Sequence, residues 1–240
     1  MQYIYLASVA SHSCTTVILI IKKETMKVGI IGSGNVGRAL ATGFLNEGNE
    51  VMLGTRNTSK EDVVKWKKEN TNGLLGSFQE TAQFGEIIVF AVSGLVVEDA
   101  INLAGKEHLS NKVIIDTTNP IAAVPPENGV IRYFTTLEES LMEKVQKIVP
   151  DAKVVKAFSC VGNAFMYKPN FNGSIPTMFI CGNDDAAKKT VTGILTSFGW
   201  ETEDMGKVEA ARAIEPLCIL WCIPGFIRNQ WTHAFKLLKK

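Results

Sequence analysis

The chain has 240 residues, 46% of them hydrophobic and 20% charged, enough for one large domain or one domain with a smaller appendage. A formal net charge of +1 argues against a nucleic-acid partner, which would select a basic excess or stripe. Five widely spaced cysteines with no C-x-x-C pair read as reduced thiols of a cytoplasmic protein, and three histidines at no metal-ligand spacing argue against a zinc enzyme or a Ser-His-Asp hydrolase.

Residues 1–25 hold two short apolar stretches split by the polar run S-H-S-C-T-T. Neither approaches the roughly 18–20 apolar residues of a membrane span. Lys22 and Lys23 follow the apolar core instead of preceding it, the reverse of a secretory signal, and the segment has no Arg for a mitochondrial presequence. It is expected to lie outside the fold, with Met26 as the natural start; the competing reading is an N-terminal arm packed on the surface or on a partner chain.

From Met26 a regular pattern begins. Met26–Ile31 (M-K-V-G-I-I) is an apolar, β-branched run of strand length that leads into Gly32-Ser33-Gly34-Asn35-Val36-Gly37. Arg38–Leu45 follows with Leu40, Phe44 and Leu45 on one helical face, Gly48 stops it, and Glu50–Thr55 reads as a second strand. A bare G-x-G-x-x-G is a weak signal; placed between a strand and a helix of a βαβ unit it predicts a dinucleotide-binding Rossmann fold. Gly32 permits the tight turn, Gly34 lets the backbone approach a pyrophosphate, and Gly37 lets the helix pack against the strand. The phosphates are then expected at the helix N-terminus, where free N–H groups and the helix dipole favour negative charge.

The end of the second strand distinguishes the two nicotinamide cofactors. An NAD site places Asp or Glu there for the ribose 2′-hydroxyl. Here the strand runs into Gly54-Thr55-Arg56-Asn57-Thr58-Ser59-Lys60, with no carboxylate before Glu61. Hydroxyls with Arg56 and Lys60 suit a dianionic 2′-phosphate, so the expected cofactor is NADP(H).

The alternation continues with a charged helix over Glu61–Glu69, a buried strand over Glu86–Val92, the turn Ser93-Gly94 and a helix over Val96–Leu103. A strand over Lys112–Asp116 ends in Thr117-Thr118-Asn119-Pro120; a helix from about Leu137 to Ile148 and strands over Lys153–Phe158 and Thr177–Cys181 follow. Asp184 or Asp185 can cap a helix to Phe198. Beyond Trp200–Met205 a helix is expected over Val208–Trp221, kinked at Glu215-Pro216. Phe226–Lys240 reads as an amphipathic basic surface or partner-facing helix rather than a membrane helix. The fold class is therefore α/β: a Rossmann-type, doubly wound, mostly parallel sheet over residues 26–221 with a short C-terminal helical appendage, and a basic tail over 222–240.

These stretches carry a resemblance. M-K-V-G-I-I-G-S-G-N-V-G-R-A-L, G-T-R-N, D-T-T-N-P, V-V-K-A-F-S-C-V-G, I-C-G-N-D-D-A-A-K-K and A-R-A-I-E-P-L-C-I-L-W together resemble the NADP oxidoreductase family typified by the NADPH-dependent reductase of the deazaflavin coenzyme F420. The same module is similar to the cytosolic domain of transmembrane metalloreductases that pass electrons through flavin. The resemblance implies that Ser33, Gly34, Asn35 and Val36 touch the pyrophosphate, that Thr55, Arg56 and Lys60 hold the 2′-phosphate, and that Val92, Ser93 and Asn119 line the nicotinamide end. It departs from the family at Ser93, where some members carry proline.

Hydride transfer to a flavin-like ring needs close stacking more than an acid or base, whereas a dehydrogenase acting on a hydroxyl needs a proton-moving pair. No Y-x-x-x-K follows the glycine motif, and His108 and His233 fall in an expected surface loop and the tail. Lys156, in an expected buried strand, reads as outward-pointing or paired with a carboxylate rather than catalytic. No catalytic residue and no metal ligand is assigned. The leading reading is an NADP(H)-dependent oxidoreductase with a flavin or F420-type acceptor. The alternatives are a reductase of a small imine or carbonyl substrate and a non-catalytic NADPH-sensing protein. An assembly of identical chains, such as a homodimer, is expected, with no membrane span.

Overall fold

A computed structural model describes residues 4–7, 18–21 and 25–240. Strands β1 (Ile4–Ala7) and β2 (Ile18–Ile21) pair antiparallel with each other and form a sheet of their own. The remaining chain alternates: β3 Lys27–Ile31, α1 Asn35–Asn46, β4 Glu50–Gly54, α2 Glu61–Glu69, β5 Leu74–Gly76, α3 Phe78–Phe84 and β6 Ile87–Phe90. Then come α4 Val97–Ala104, β7 Val113–Asp116, α5 Leu141–Ile148, β8 Lys153–Lys156, β9 Thr177–Gly182, α6 Asp185–Ser197 and β10 Glu201–Asp204. Two helices close the series, α7 Ala211–Ile214 and α8 Leu217–Arg228.

Strands β3 to β10 form one eight-stranded sheet in the order β10-β9-β8-β7-β6-β3-β4-β5. Every neighbouring pair is parallel except β8 with β9, where Val155 faces Gly182 and Lys156 faces Cys181 in antiparallel register. Strand β6, in the middle of the sheet, is apolar throughout because both its faces are covered. On β6, Ile87 and Val89 face a core built with Leu40 and Phe44 of α1 and Phe198, while Ile88 and Phe90 face a second core with Ile101 of α4 and Met142 of α5. This period of two places helices on both sides of the sheet, the doubly wound arrangement.

Three stretches of the chain depart from the expectation. Strand β5 and helix α3 fill a stretch with no assigned structure; α3 is only seven residues long, started by Ser77 and Glu80 in reciprocal hydrogen bonds. Helix α5 begins at Leu141 rather than near Leu137, because Ser140 and Glu143 form a second such capping box. Helix α8 runs past its expected end at Trp221, and beyond Arg228 the basic tail is not a helix. Asn229 adopts a left-handed conformation with φ 53° and ends α8, and the chain turns back on itself. Trp231 then lies against Gly225 and 5.6 Å from Trp221, and His233 stacks on Trp221 at 5.1 Å. Thr177 N–H donates to the Phe235 carbonyl at 2.9 Å, and Lys236 and Lys239 pair with Glu201 and Glu203 of β10. Aromatic contacts and a backbone bond to β9 outweigh the weak helical pattern.

Among the described residues, Val208–Arg228 is long and apolar enough by length and composition to cross a membrane, with a mean hydropathy of 1.5. In the fold it is interrupted at Glu215 and Pro216, between α7 and α8, and Glu215 is buried in the protein interior.

Candidate nucleotide site

The carboxyl ends of β3, β4, β6, β7 and β8 lie along one edge of the sheet, where open α/β folds bind ligands. Leaving β3, the chain turns at Gly32 with φ +119°, a conformation that excludes ordinary side chains, and a Cβ there would lie 2.4 Å from the Ala91 carbonyl oxygen. A Cβ on Gly37 would sit 1.9 Å from the Gly32 carbonyl oxygen, so α1 can approach its own strand only through a glycine. Gly34 differs from both. It is the N-cap of α1, no side chain caps the helix, and a Cβ there would meet nothing within 4 Å. The protein's own packing does not require this glycine, whereas a ligand seated on the α1 N-terminus would. The first backbone bond of the helix runs from Arg38 N–H to the Gly34 carbonyl at 3.0 Å, leaving the N–H groups of Asn35, Val36 and Gly37 as the open donors expected of a helix start. These features fit a pyrophosphate.

Arg38 organises this loop and was not among the expected residues. Its guanidinium donates to the Ser33 carbonyl at 2.7 Å and to Asn35 Oδ1 at 2.8 Å, and lies 3.3 Å from Asp62 at the start of α2. An arginine one residue beyond the third glycine was the available signal, since it can reach back to that turn.

The loop after β4 is joined to the glycine turn by a single hydroxyl pair, Ser33 Oγ donating to Thr55 Oγ1 at 2.9 Å. Thr55 is buried; its hydroxyl also donates to the Asn57 carbonyl and accepts from Asn57 N–H, so it shapes the turn. Arg56 is exposed and has no ion pair among the described residues, and exposed Lys60 lies 3.8 Å from Asp62. Two cations at the mouth of the turn, one of them uncommitted, provide the charge that a 2′-phosphate needs.

Of the residues expected at the nicotinamide end, Val92 is half-buried and Ser93 exposed, its Oγ accepting from Leu95 N–H at 3.4 Å. Gly94 presses on the next loop so closely that a Cβ there would stand 2.2 Å from the Asn119 carbonyl oxygen. Asn119 in turn donates from Nδ2 to the Ser159 carbonyl at 2.8 Å. The expected set thus falls into three clusters along one edge: the glycine loop, the basic turn, and the Ser93–Asn119 contact.

Below that edge lies a fully buried ionic cluster. Lys156 Nζ is 2.7 Å from Asp116, 2.9 Å from Glu215 and 2.8 Å from the Thr118 carbonyl. Burial alone would lower the pKa of this lysine, but the two carboxylates outweigh it and hold the group above its ordinary value, fully charged. Asp116 also accepts from Thr118 N–H and Oγ1, and Glu215 accepts from Leu141 and Met142 N–H at the start of α5. The amine has no lone pair free for proton abstraction and serves to join β7, β8, α5 and the α7–α8 junction. His108 bonds Gln83 on the surface and His233 bonds the Trp221 carbonyl; His12 lies outside the described residues.

Two further groups complete the surroundings. Burial pushes the thiols of Cys160 and Cys181 up to about 12, so both are inert at neutral pH. A cavity of about 620 Å³ opens between the loop after Asn119 and helices α7 and α8, walled by Val130, Tyr133, Leu137, Arg212, Glu215 and Ile219. None of the expected cofactor residues lines it. There Arg212 grips Glu143 and holds its carboxyl down at about 2, helped by the Ser140 N–H and hydroxyl.

Comparison with known proteins agrees with this geometry. Residues 27–120 match the family described as NADP oxidoreductase, coenzyme F420-dependent. The chain is 31% identical over 217 residues to the metalloreductase STEAP3 of Rattus norvegicus, an alignment covering 86% of this chain and 40% of that protein. It spans about 40% of the length of the curated metalloreductases it matches. A solved protein of Arthrobacter sp. fb24, provisionally named an F420-dependent NADP-reductase, superposes with a TM-score of 0.82 at 29% identity, covering 89% of this chain and 100% of that one. A reductive aminase of Aspergillus terreus in complex with NADPH shares the fold alone, with a TM-score of 0.59 at 16% identity over 82% of this chain and 60% of that one. Over residues 27–120, its nucleotide-binding module, the chain matches the coenzyme F420-dependent NADP oxidoreductase family.

Proposed function

We propose that this chain binds NADP(H) along the carboxyl edge of its sheet and exchanges a hydride between the nicotinamide and a flat redox ring, a flavin or a deazaflavin of the F420 type. The carrying observation is the uncapped start of α1 with open space at Gly34, next to the exposed Arg56 in a turn that lacks a carboxylate. The cofactor supplies the hydride. The N–H groups of Asn35, Val36 and Gly37 hold the pyrophosphate, Arg56 and Lys60 take the 2′-phosphate, and Val92, Ser93 and Asn119 position the nicotinamide. A ring acceptor is supported by the provisional name of the Arthrobacter relative. STEAP3, a metalloreductase, favours the second reading, in which a metal ion takes the electrons from such a ring. The reduced-thiol composition supports a cytoplasmic site of action.

Arg56→Asp removes one phosphate partner and sets a like charge against the dianion. One charge-assisted contact contributes about 1.5–3 kcal/mol, so NADPH affinity is expected to fall roughly 10- to 100-fold with NADH affinity unchanged or improved. Fluorescence titration with both cofactors checks this; equal weakening of the two would assign Arg56 to the fold. NADPH deuterated at the transferred position is expected to pass its label to F420. Reduction of ferric citrate only when a flavin is added would favour the metal reading, and turnover of imines or ketones alone would overturn the ring acceptor.

A further inference from the structure

The chain leaves β8 through a strained turn. Phe158 has φ +60°, the left-handed region that bulky residues avoid, and its N–H is spent on the Met178 sulfur at 3.1 Å. The ring is buried and lies 6.2 Å from that of Phe198, so the core enforces the turn. The effect is to place Ser159, only 3% exposed, beside Asn119 at the carboxyl ends of the adjacent parallel strands β7 and β8. Two buried polar atoms meet there without a partner among the described residues: the Ser159 hydroxyl and Asn119 Oδ1. The amide orientation of Asn119 is fixed by its Nδ2 donating to the Ser159 carbonyl, since the flipped amide would set two oxygens against each other. What remains is one hydroxyl free to donate and one amide oxygen free to accept. Leaving such groups buried and unpaired is costly, and native proteins keep few of them.

We propose that Ser159 and Asn119 together hold the carboxamide of the nicotinamide ring: the Ser159 hydroxyl donates to the carboxamide oxygen, and the carboxamide NH₂ donates to Asn119 Oδ1. A primary carboxamide presents one acceptor and a pair of donors on a flat group, the complement of the two orphaned atoms. Ser159 is a positioning residue, which sets the ring's orientation without taking part in bond making. The assignment rests on the placement of the nicotinamide at Val92, Ser93 and Asn119, and it adds a residue from a different strand.

The test compares NADPH with 2′,5′-ADP, which carries the 2′-phosphate end and no nicotinamide, by calorimetry on the native chain and on Ser159→Ala. The variant is expected to bind NADPH about three- to tenfold more weakly, the size of one neutral hydrogen bond, and 2′,5′-ADP with unchanged affinity. Its melting temperature without ligand is expected to hold or rise, because the lost hydroxyl has no partner in the unliganded fold. On the native chain, the reduced 3-acetylpyridine analogue of NADPH, whose methyl replaces the NH₂, is expected to bind more weakly than NADPH. Equal weakening of NADPH and 2′,5′-ADP in Ser159→Ala, or no change in either, would overturn the proposal. So would equal affinity of the native chain for the acetylpyridine analogue and NADPH. A native chain that binds neither NADPH nor 2′,5′-ADP would overturn the cofactor reading, and this inference with it.

Discussion

Replacing Lys156 by methionine is expected to lower stability by about 3–5 kcal/mol, the cost of leaving a buried ionic partner uncompensated. The side chain is 0% exposed and pairs with Asp116 and Glu215, so its removal strands two carboxylates in the interior. For a chain of this size that corresponds to a fall in melting temperature of roughly 6–20 °C. Replacing the two carboxylates along with the lysine (Lys156→Met with Asp116→Asn and Glu215→Gln) is expected to recover much of the loss, because no unpaired charge remains. The pH dependence follows from the direction of the shift. A lysine held above its ordinary value contributes fully at every pH below that value, about 10.4, and loses its contribution only as pH rises through the raised one. The cluster is therefore intact from neutrality to roughly pH 10. Differential scanning calorimetry of the single and triple variants decides the matter. A single variant that melts within about 2 °C of the native chain yet has lost turnover would give Lys156 a chemical role instead.

The second large effect is expected at Gly37. A methyl there would sit 1.9 Å from the Gly32 carbonyl oxygen, backbone against backbone, so Gly37→Ala must drive α1 away from the turn that precedes it. Overpacking of this kind costs about 1–3 kcal/mol, and the displaced N–H groups no longer converge on one point. NADPH affinity is expected to fall by roughly 100-fold or more, the equivalent of about two charge-assisted hydrogen bonds. Gly34→Ala is the control. Its methyl meets nothing in the protein, so the melting temperature should move little while NADPH affinity still drops, because the methyl occupies the place of the pyrophosphate. If Gly34→Ala bound NADPH with native affinity, the phosphates would not lie on the α1 terminus.

How much of this was legible depends on the range of the interactions involved. The β3–α1–β4 unit could be read because its signals are local: a β-branched run, three glycines at fixed spacing and a helical apolar face. The same holds for the absence of a carboxylate after β4. Strand β5 and helix α3 are too short for periodicity to register, and the signal that was present, Ser77 and Glu80 three residues apart, is a cap without the long apolar run that usually draws attention to one. The tail misled because its spacing of apolar and basic residues suits a helix, whereas its conformation is decided by Trp221, Gly225 and Thr177, none of them adjacent to it in sequence. Lys156 was recognisable as an odd buried cation, yet its partners Asp116 and Glu215 come from different elements that only the fold assembles. Ser159 stood inside a recognised stretch but drew no notice, because nothing in a sequence reveals which hydroxyl lacks a partner.

The strand order also has a kinetic consequence. Strand β3 finds β4 after a single helix, but its other neighbour, β6, is made only after two more helices and a further strand. The glycine turn is walled by Ala91, the residue that follows β6, so the cradle stays open on one side until that long-range pairing has formed. Contacts of high sequence separation form late, because the loop between them must first be closed against its entropy. During folding, then, the motif that announces itself first in the sequence becomes competent only once β6 has joined β3. The nucleotide can stabilise the finished domain by mass action, yet it has nothing to grip in the early chain and cannot act as a folding template.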